Sequence, residues 1–190
     1  MTETNTIPKA VSQTDVTAYR DEGTKLPNLA YFLHRLRVEL ERAKIKGEFC
    51  SLILFEVDNM KEVPGCSKSI NGNEALSLIT PLLGGQITSL QELERKKDIF
   101  CRIGSEKVGV ILPGMSLKGA ILTAERLRQT FKNQSISGGV KNNCLTASFG
   151  VVCYPEIGNT LENLLERAEI VLSLAKKNGK NRVEVYQPEN

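Results

Sequence analysis

The chain has 190 residues and a formal net charge of +3, with apolar and charged fractions close to those of ordinary globular domains. That length suits one well-buried domain and is short for two. No long Lys or Arg run and no apolar stretch of membrane-span length occurs, so neither a nucleic-acid polymer nor a membrane is an expected partner.

The first 20 residues are rich in Thr, Ser, Gln and Asp, without clear periodicity. They read as a flexible N-terminal arm or docking segment, with the folded domain running from Asp21 to Asn190. The N-terminus lacks the apolar segment of a signal peptide. The five cysteines (Cys50, Cys66, Cys101, Cys144 and Cys153) show no CxxC spacing, and several lie in apolar runs. The odd count, without a secretory context, points to reduced thiols in the cytoplasm. The single histidine, His34, sits in a helical pattern and reads as packed or exposed, not catalytic.

Asn28 is a plausible N-cap, and Leu29, Phe32, Leu33, Leu36, Leu40 and Ala43 recur behind it at helical spacing until Gly47. The continuous apolar run from Cys50 to Val57 suits a central strand buried on both faces. A second helix is expected from about Asn71 to Asn73, carrying Leu76, Ile79 and Leu83, with Pro81 and Gly84-Gly85 kinking or splitting it. Two short runs, Ile99 to Ile103 and Val108 to Leu112, flank a Gly-Ser-Glu-Lys reversal and predict a hairpin. Ser116 caps a helix with Ala120, Leu122, Ala124, Leu127 and Phe131 as apolar positions. Leu145 to Tyr154 reads as a strand. Asn159 and Glu162 have capping-box spacing before a helix that ends at Gly179, and Arg182 to Tyr186 is a last strand. The order α-β-α-β-β-α-β-α-β predicts an α/β sandwich with a central mixed five-stranded sheet flanked by helices.

Several of these segments are similar to the motifs of one family. DEGTKLPNLAYF (21 to 32) resembles an opening D-x-L-T-G-L-P-N-R-x-x-F, and LILFEVDNMKEV (52 to 63) resembles a metal-binding strand ending D-I-D-x-F-K-x-I. RIGSEKVGVILPG (102 to 114) is similar to R-Y-G-G-D-E-F-x-V-L-L-P-G. SFGVVCYP (148 to 155) and AEIVLSLAKKNGKNRV (168 to 183) resemble the closing strand and helix. Together they resemble a GGDEF domain, in register from about 21 to 186 with an insertion around Gly84 to Leu93.

The resemblance implies a nucleotidyl-cyclase-like, palm-related fold. It also implies a parent activity that joins two GTP molecules into cyclic di-GMP with two Mg²⁺ ions. Glu56 and Glu106 stand at the family's metal-holding positions. Lys107, however, replaces the second acid of the signature, and an ammonium beside a divalent ion opposes it by about 4 kcal/mol per unit-charge pair. Ser105 follows Gly104 where the family has a second Gly, and Val108 replaces Phe. The positions that read guanine hold Pro64 and Asn73, neither of which supplies an ionised two-oxygen acceptor. Lys61, Lys176 and Lys180 match positions that touch the triphosphate, although solvated lysines are an equal reading. No catalytic residue, resident metal or cofactor is therefore expected.

Arg95-Lys96-Lys97-Asp98 matches the family's R-x-x-D inhibitory site, where an Arg fork and a carboxylate grip the guanine edges of cyclic di-GMP. Arg126 matches an Arg that reaches this ligand from a second domain, which allows a ligand-induced homodimer. The leading expectation is a cyclic-di-GMP receptor that signals to a protein partner, with intermolecular output. A nucleotide-independent scaffold and a weak or altered cyclase remain open beside it.

Overall fold

A computed structural model describes residues 19–58, 72–80, 98–132 and 145–187. In chain order the elements are α1 (Leu29–Lys46), β1 (Cys50–Val57), α2 (Gly72–Ile79), β2 (Ile99–Arg102) and β3 (Lys107–Pro113). They continue with α3 (Leu117–Lys132), β4 (Ala147–Tyr154), α4 (Leu161–Lys177) and β5 (Val183–Val185). The five strands form one sheet in the order β2-β3-β1-β4-β5, antiparallel except for the parallel β4–β5 pair. This is the mixed sheet and the element order that the apolar patterning predicts.

β1 is central, and every residue in it is buried except the half-buried Glu56. Strand alternation sends its side chains to two cores. Ile53, Phe55 and Val57 join Val108, Val110, Phe149 and Val151 beneath α2 and α3. Leu52 and Leu54 join Ile111 and Val152 beneath α1 and α4. The rings of Phe55, Phe131 and Phe149 meet within 6.0 Å of one another, edge-on or tilted, which is the favourable geometry for aromatic packing.

The Asn28 cap is present, its side chain accepting from the Tyr31 N–H, and Gly47 ends α1 in the left-handed conformation at φ 64°. Three helix details differ from expectation. Leu29 and Leu33 stay exposed, because the buried stripe of α1 runs through Phe32, Leu36, Leu40 and Ala43. Leu122 points outward from α3, whose inner face is carried by Ala120, Ala124 and Phe131. The cap of α4 is Thr160, whose hydroxyl accepts from the Asn163 N–H, so the helix begins one residue later than an Asn159 cap requires.

Tyr19 packs edge-on against Tyr31, and Arg20 bridges Pro27. Residues 1–18 of the expected arm lie outside the described residues, as do Pro81, Leu83 and the Gly84-Gly85 pair. His34 is exposed. Cys50, Cys101 and Cys153 are buried free thiols, and burial pushes the Cys50 thiol up to about 12, keeping it protonated. Among the described residues no helix is long and apolar enough to cross a membrane.

Candidate functional site

The signature hairpin is held from outside the sheet. The N–H groups of Ile103 and Gly104 both donate to the Lys107 carbonyl, closing the reversal at Gly104 to Glu106. Arg102 then donates to the carbonyls of Gly104 (3.0 Å) and Ser105 (2.7 Å), fixing the tip. Its remaining arm pairs with Asp21 at 3.0 Å, and Asp21 also accepts from the Thr24 N–H and hydroxyl at 2.7 Å. Burial alone would raise the Asp21 carboxyl. The Thr24 bonds and the Arg102 charge outweigh it and hold the carboxyl below its ordinary value of 3.8. The first and third family motifs thus meet through one guanidinium.

Antiparallel register places Glu56 of β1 directly opposite Lys107 of β3 and Ser148 of β4. All three therefore point to one face, the face covered by α4. That helix can approach closely because β4 carries Gly150. A Cβ there would sit 2.6 Å from the Leu172 nitrogen and 2.7 Å from the Ala168 oxygen, both backbone atoms of α4. The close approach brings the helix side chains at 169 and 176, two turns apart, over the ends of β1 and β3.

There the charges pair off. Lys107 donates to both carboxylate oxygens of Glu169, at 2.7 and 2.9 Å, and Lys176 donates to Glu56 at 2.5 Å. The two ion pairs, with Leu172, Ser173 and Lys177, line an open groove of about 380 Å³.

The end of β1 is fixed by a buried carboxylate. Asp58, 3% exposed, accepts from Thr146 (2.7 Å), Ser148 (2.6 Å) and the Asn181 N–H (3.0 Å). Asn181 and Lys180 both take left-handed backbone, φ 45° and 61°, and Arg128 of α3 donates to the Asn181 side chain at 3.0 Å. One acid therefore ties together β1, β4 and the turn after α4, two residues from Glu56.

The structure brings Glu56, Lys107 and Lys176 to one groove and leaves the other expected residues elsewhere. Glu106 is half-buried at the hairpin, where its carbonyl accepts from the Val57 N–H; it does not line the groove. Gly104 and Ser105 are exposed at the tip, and Val108 is wholly buried in the core beneath α2 and α3. Lys180 lies in the turn after α4, outside the groove lining. Lys61, Pro64, the Asn73 side chain and Arg95 lie outside the described residues.

The family's divalent ions need convergent hard oxygens. Here the Glu56 carboxylate accepts from an ammonium, and the position facing it across the sheet is a second ammonium. Among the described residues no group of three or more possible metal ligands converges. This arrangement does not fit a pair of divalent ions. Glu169 and Asp58 escape sequence reasoning. The i, i+7 spacing of Glu169 and Lys176, and the i, i+2 spacing of Glu56 and Asp58, were the available signals.

A second place on the molecule also gathers complementary charge. Asp98 immediately precedes β2 and is exposed, and Arg126 is exposed on α3. Desolvation by surrounding atoms raises the Asp98 carboxyl, while the charge of Arg126 opposes the rise; the net direction is upward from 3.8. The two described members of the expected ligand site are thus both exposed, and the charge of one acts on the other across 28 positions of chain (126 minus 98).

The family pattern described as "Diguanylate cyclase, GGDEF domain" matches residues 18–182. Response regulator PleD of Caulobacter vibrioides is 29% identical over 168 residues, covering 87% of this chain and 36% of PleD. Diguanylate cyclase DgcM of Escherichia coli is 28% identical over 172 residues, covering 90% of this chain and 39% of DgcM. The chain thus spans well under half the length of either relative. Among solved structures, diguanylate cyclase SiaD of Pseudomonas aeruginosa, in complex with its activator SiaC, aligns with a TM-score of 0.71 and 28% identity. That alignment covers 91% of this chain and 64% of SiaD. With the sheet order, the hairpin and the matched span in agreement, this chain belongs to the GGDEF domain family.

Proposed function

We propose that this chain is a cytoplasmic receptor for cyclic di-GMP, held through Arg95, Asp98 and Arg126, that signals to a protein partner and does not cyclise GTP. The single observation behind this reading is that Asp98, at the head of β2, and Arg126, on α3, are both exposed, so the carboxylate can meet a guanine that an Arg126 reaches from a second copy of the chain. The chemistry matches guanine: a carboxylate accepts from N1–H and the 2-amino group, and guanidinium forks donate to O6 and N7. A ligand with two guanines can also cross-link two copies of the chain. The ion-paired groove supports the other half of the reading, since a GTP–Mg²⁺ substrate would meet two ammonium groups already committed to Glu56 and Glu169. SiaD, solved in complex with its activator SiaC, is a similar diguanylate cyclase that binds a protein.

Calorimetric titration of the full chain with cyclic di-GMP tests the reading. The expected result is micromolar or tighter binding that disappears in Arg95→Ala and weakens by about tenfold or more in Asp98→Ala. Unchanged heat in both variants sinks the site assignment, and no heat with any guanine nucleotide favours a pure scaffold. The likeness to diguanylate cyclases such as DgcM and SiaD favours the alternative of an active or altered cyclase. Incubation with GTP and Mg²⁺ followed by chromatography decides that point: the expected result is no cyclic di-GMP, and clear turnover overturns the proposal.

A further inference from the structure

We infer that the groove between β1, β3 and α4 is a cation site filled from within the chain, with the ammonium groups of Lys107 and Lys176 in place of a diffusible divalent ion. The inference deepens the non-cyclising half of the proposed function and rests on it, but not on the ligand assigned to Asp98 and Arg126.

Four charged side chains carry it. Glu56 and Glu169 both line the groove, and each accepts from one lysine: Glu56 from Lys176 at 2.5 Å, Glu169 from Lys107 through both oxygens at 2.7 and 2.9 Å. The four charges sum to zero. Carboxylates facing one groove without cations repel each other and attract a divalent ion; here the compensating charge is supplied covalently. The placement follows from the fold. Strand register sets Lys107 opposite Glu56, yet Lys107 bonds to the helix acid, and the helix lysine bonds to the strand acid. The pairs therefore cross between sheet and helix and stitch α4 to the sheet where Gly150 allows close approach. A divalent ion bound by Glu56 would have to displace the Lys176 ammonium and would sit at the strand position facing Lys107.

Mn²⁺ titration of the full chain, followed by electron paramagnetic resonance of the free ion, tests this. In the parent, Glu56→Gln should leave Mn²⁺ binding unchanged within about twofold, because Glu56 is already occupied. In Lys107→Met/Lys176→Met the groove loses both internal cations. Its Mn²⁺ affinity should then rise about tenfold, a gain that is lost again when Glu56→Gln is added. Tight Mn²⁺ binding by the parent that falls tenfold in Glu56→Gln overturns the inference, as does a double-Met variant that folds and binds no better than the parent. The comparison of the parent with Glu56→Gln stands even if the double-Met variant fails to fold. Incubating the parent with GTP and Mg²⁺ separates the two proposals: cyclic di-GMP formation overturns the non-cyclising reading, whereas its absence beside tight, Glu56-dependent Mn²⁺ binding overturns only the inference drawn here.

Discussion

The groove over β1 and β3 and the rim formed by Asp98 and Arg126 hold similar residues in opposite conditions. In the groove every acid described above has a lysine within hydrogen-bond distance, and α4 is pressed onto the sheet. At the rim, a carboxylate and a guanidinium influence each other while both residues remain exposed. The difference teaches that charge by itself does not mark a binding site. Charges that neutralise each other contribute to the fold, and charges presented to solvent can exchange water for a ligand.

The largest expected effect tests whether close packing assembles the groove. Gly150→Ala forces a Cβ into the backbone of α4, which cannot yield as a flexible side chain can. We expect a loss of about 3 kcal/mol in stability, read from the denaturant midpoint. Cyclic-di-GMP binding should persist under conditions where that variant is folded. If the midpoint does not move, α4 is not held as described.

Next in size, Asp98→Ala should weaken cyclic di-GMP by roughly 10- to 100-fold, since hydrogen bonds to a charged group are worth about 1.5–3 kcal/mol. Calorimetry reads the change, and an equal loss in Lys107→Met would erase the contrast between groove and rim.

The pH dependence sharpens the same contrast. Asp98 must be ionised to accept from guanine, and its carboxyl lies above its ordinary value of 3.8 through desolvation, partly offset by Arg126. Binding favours the ionised form, so affinity is complete well above the raised value and declines as pH falls through it. The decline should begin at a higher pH than for an ordinary aspartate and should vanish in Asp98→Asn. An affinity flat across that range would remove Asp98 from the site.

The smallest effect is expected where the geometry is most regular. Lys107 and Glu169 are both partly exposed, with side chains 27% and 49% accessible, so solvent screens their attraction. Lys107→Met should cost only about 0.5 kcal/mol in a denaturation experiment, even though it unbalances the groove. A loss several times larger would mean that the ion pairs, and not the apolar packing around Gly150, hold α4 down.

Much of the fold was legible in local patterning. The Asn28 cap, the doubly buried β1 and the hairpin around Gly104 follow from residues within a few positions of one another. Local patterning falls short where a residue's role depends on its surroundings. Leu29, Leu33 and Leu122 fit a helical apolar pattern but face water, because the sheet covers a narrower stripe than the pattern suggests. The cap at Thr160 in place of Asn159 is a one-residue choice between two good caps, settled by which hydroxyl or amide meets the first free N–H.

Sequence alone was enough for the family, the element order and the list of substituted signature positions, because short-range hydrophobic periodicity and ordered motifs encode them. Only the tertiary structure decided which charge answers which. Lys107 meets Glu169 across 62 positions and Lys176 meets Glu56 across 120. Pairings over such distances depend on strand register and on how closely a helix can approach a glycine, and no local pattern records either.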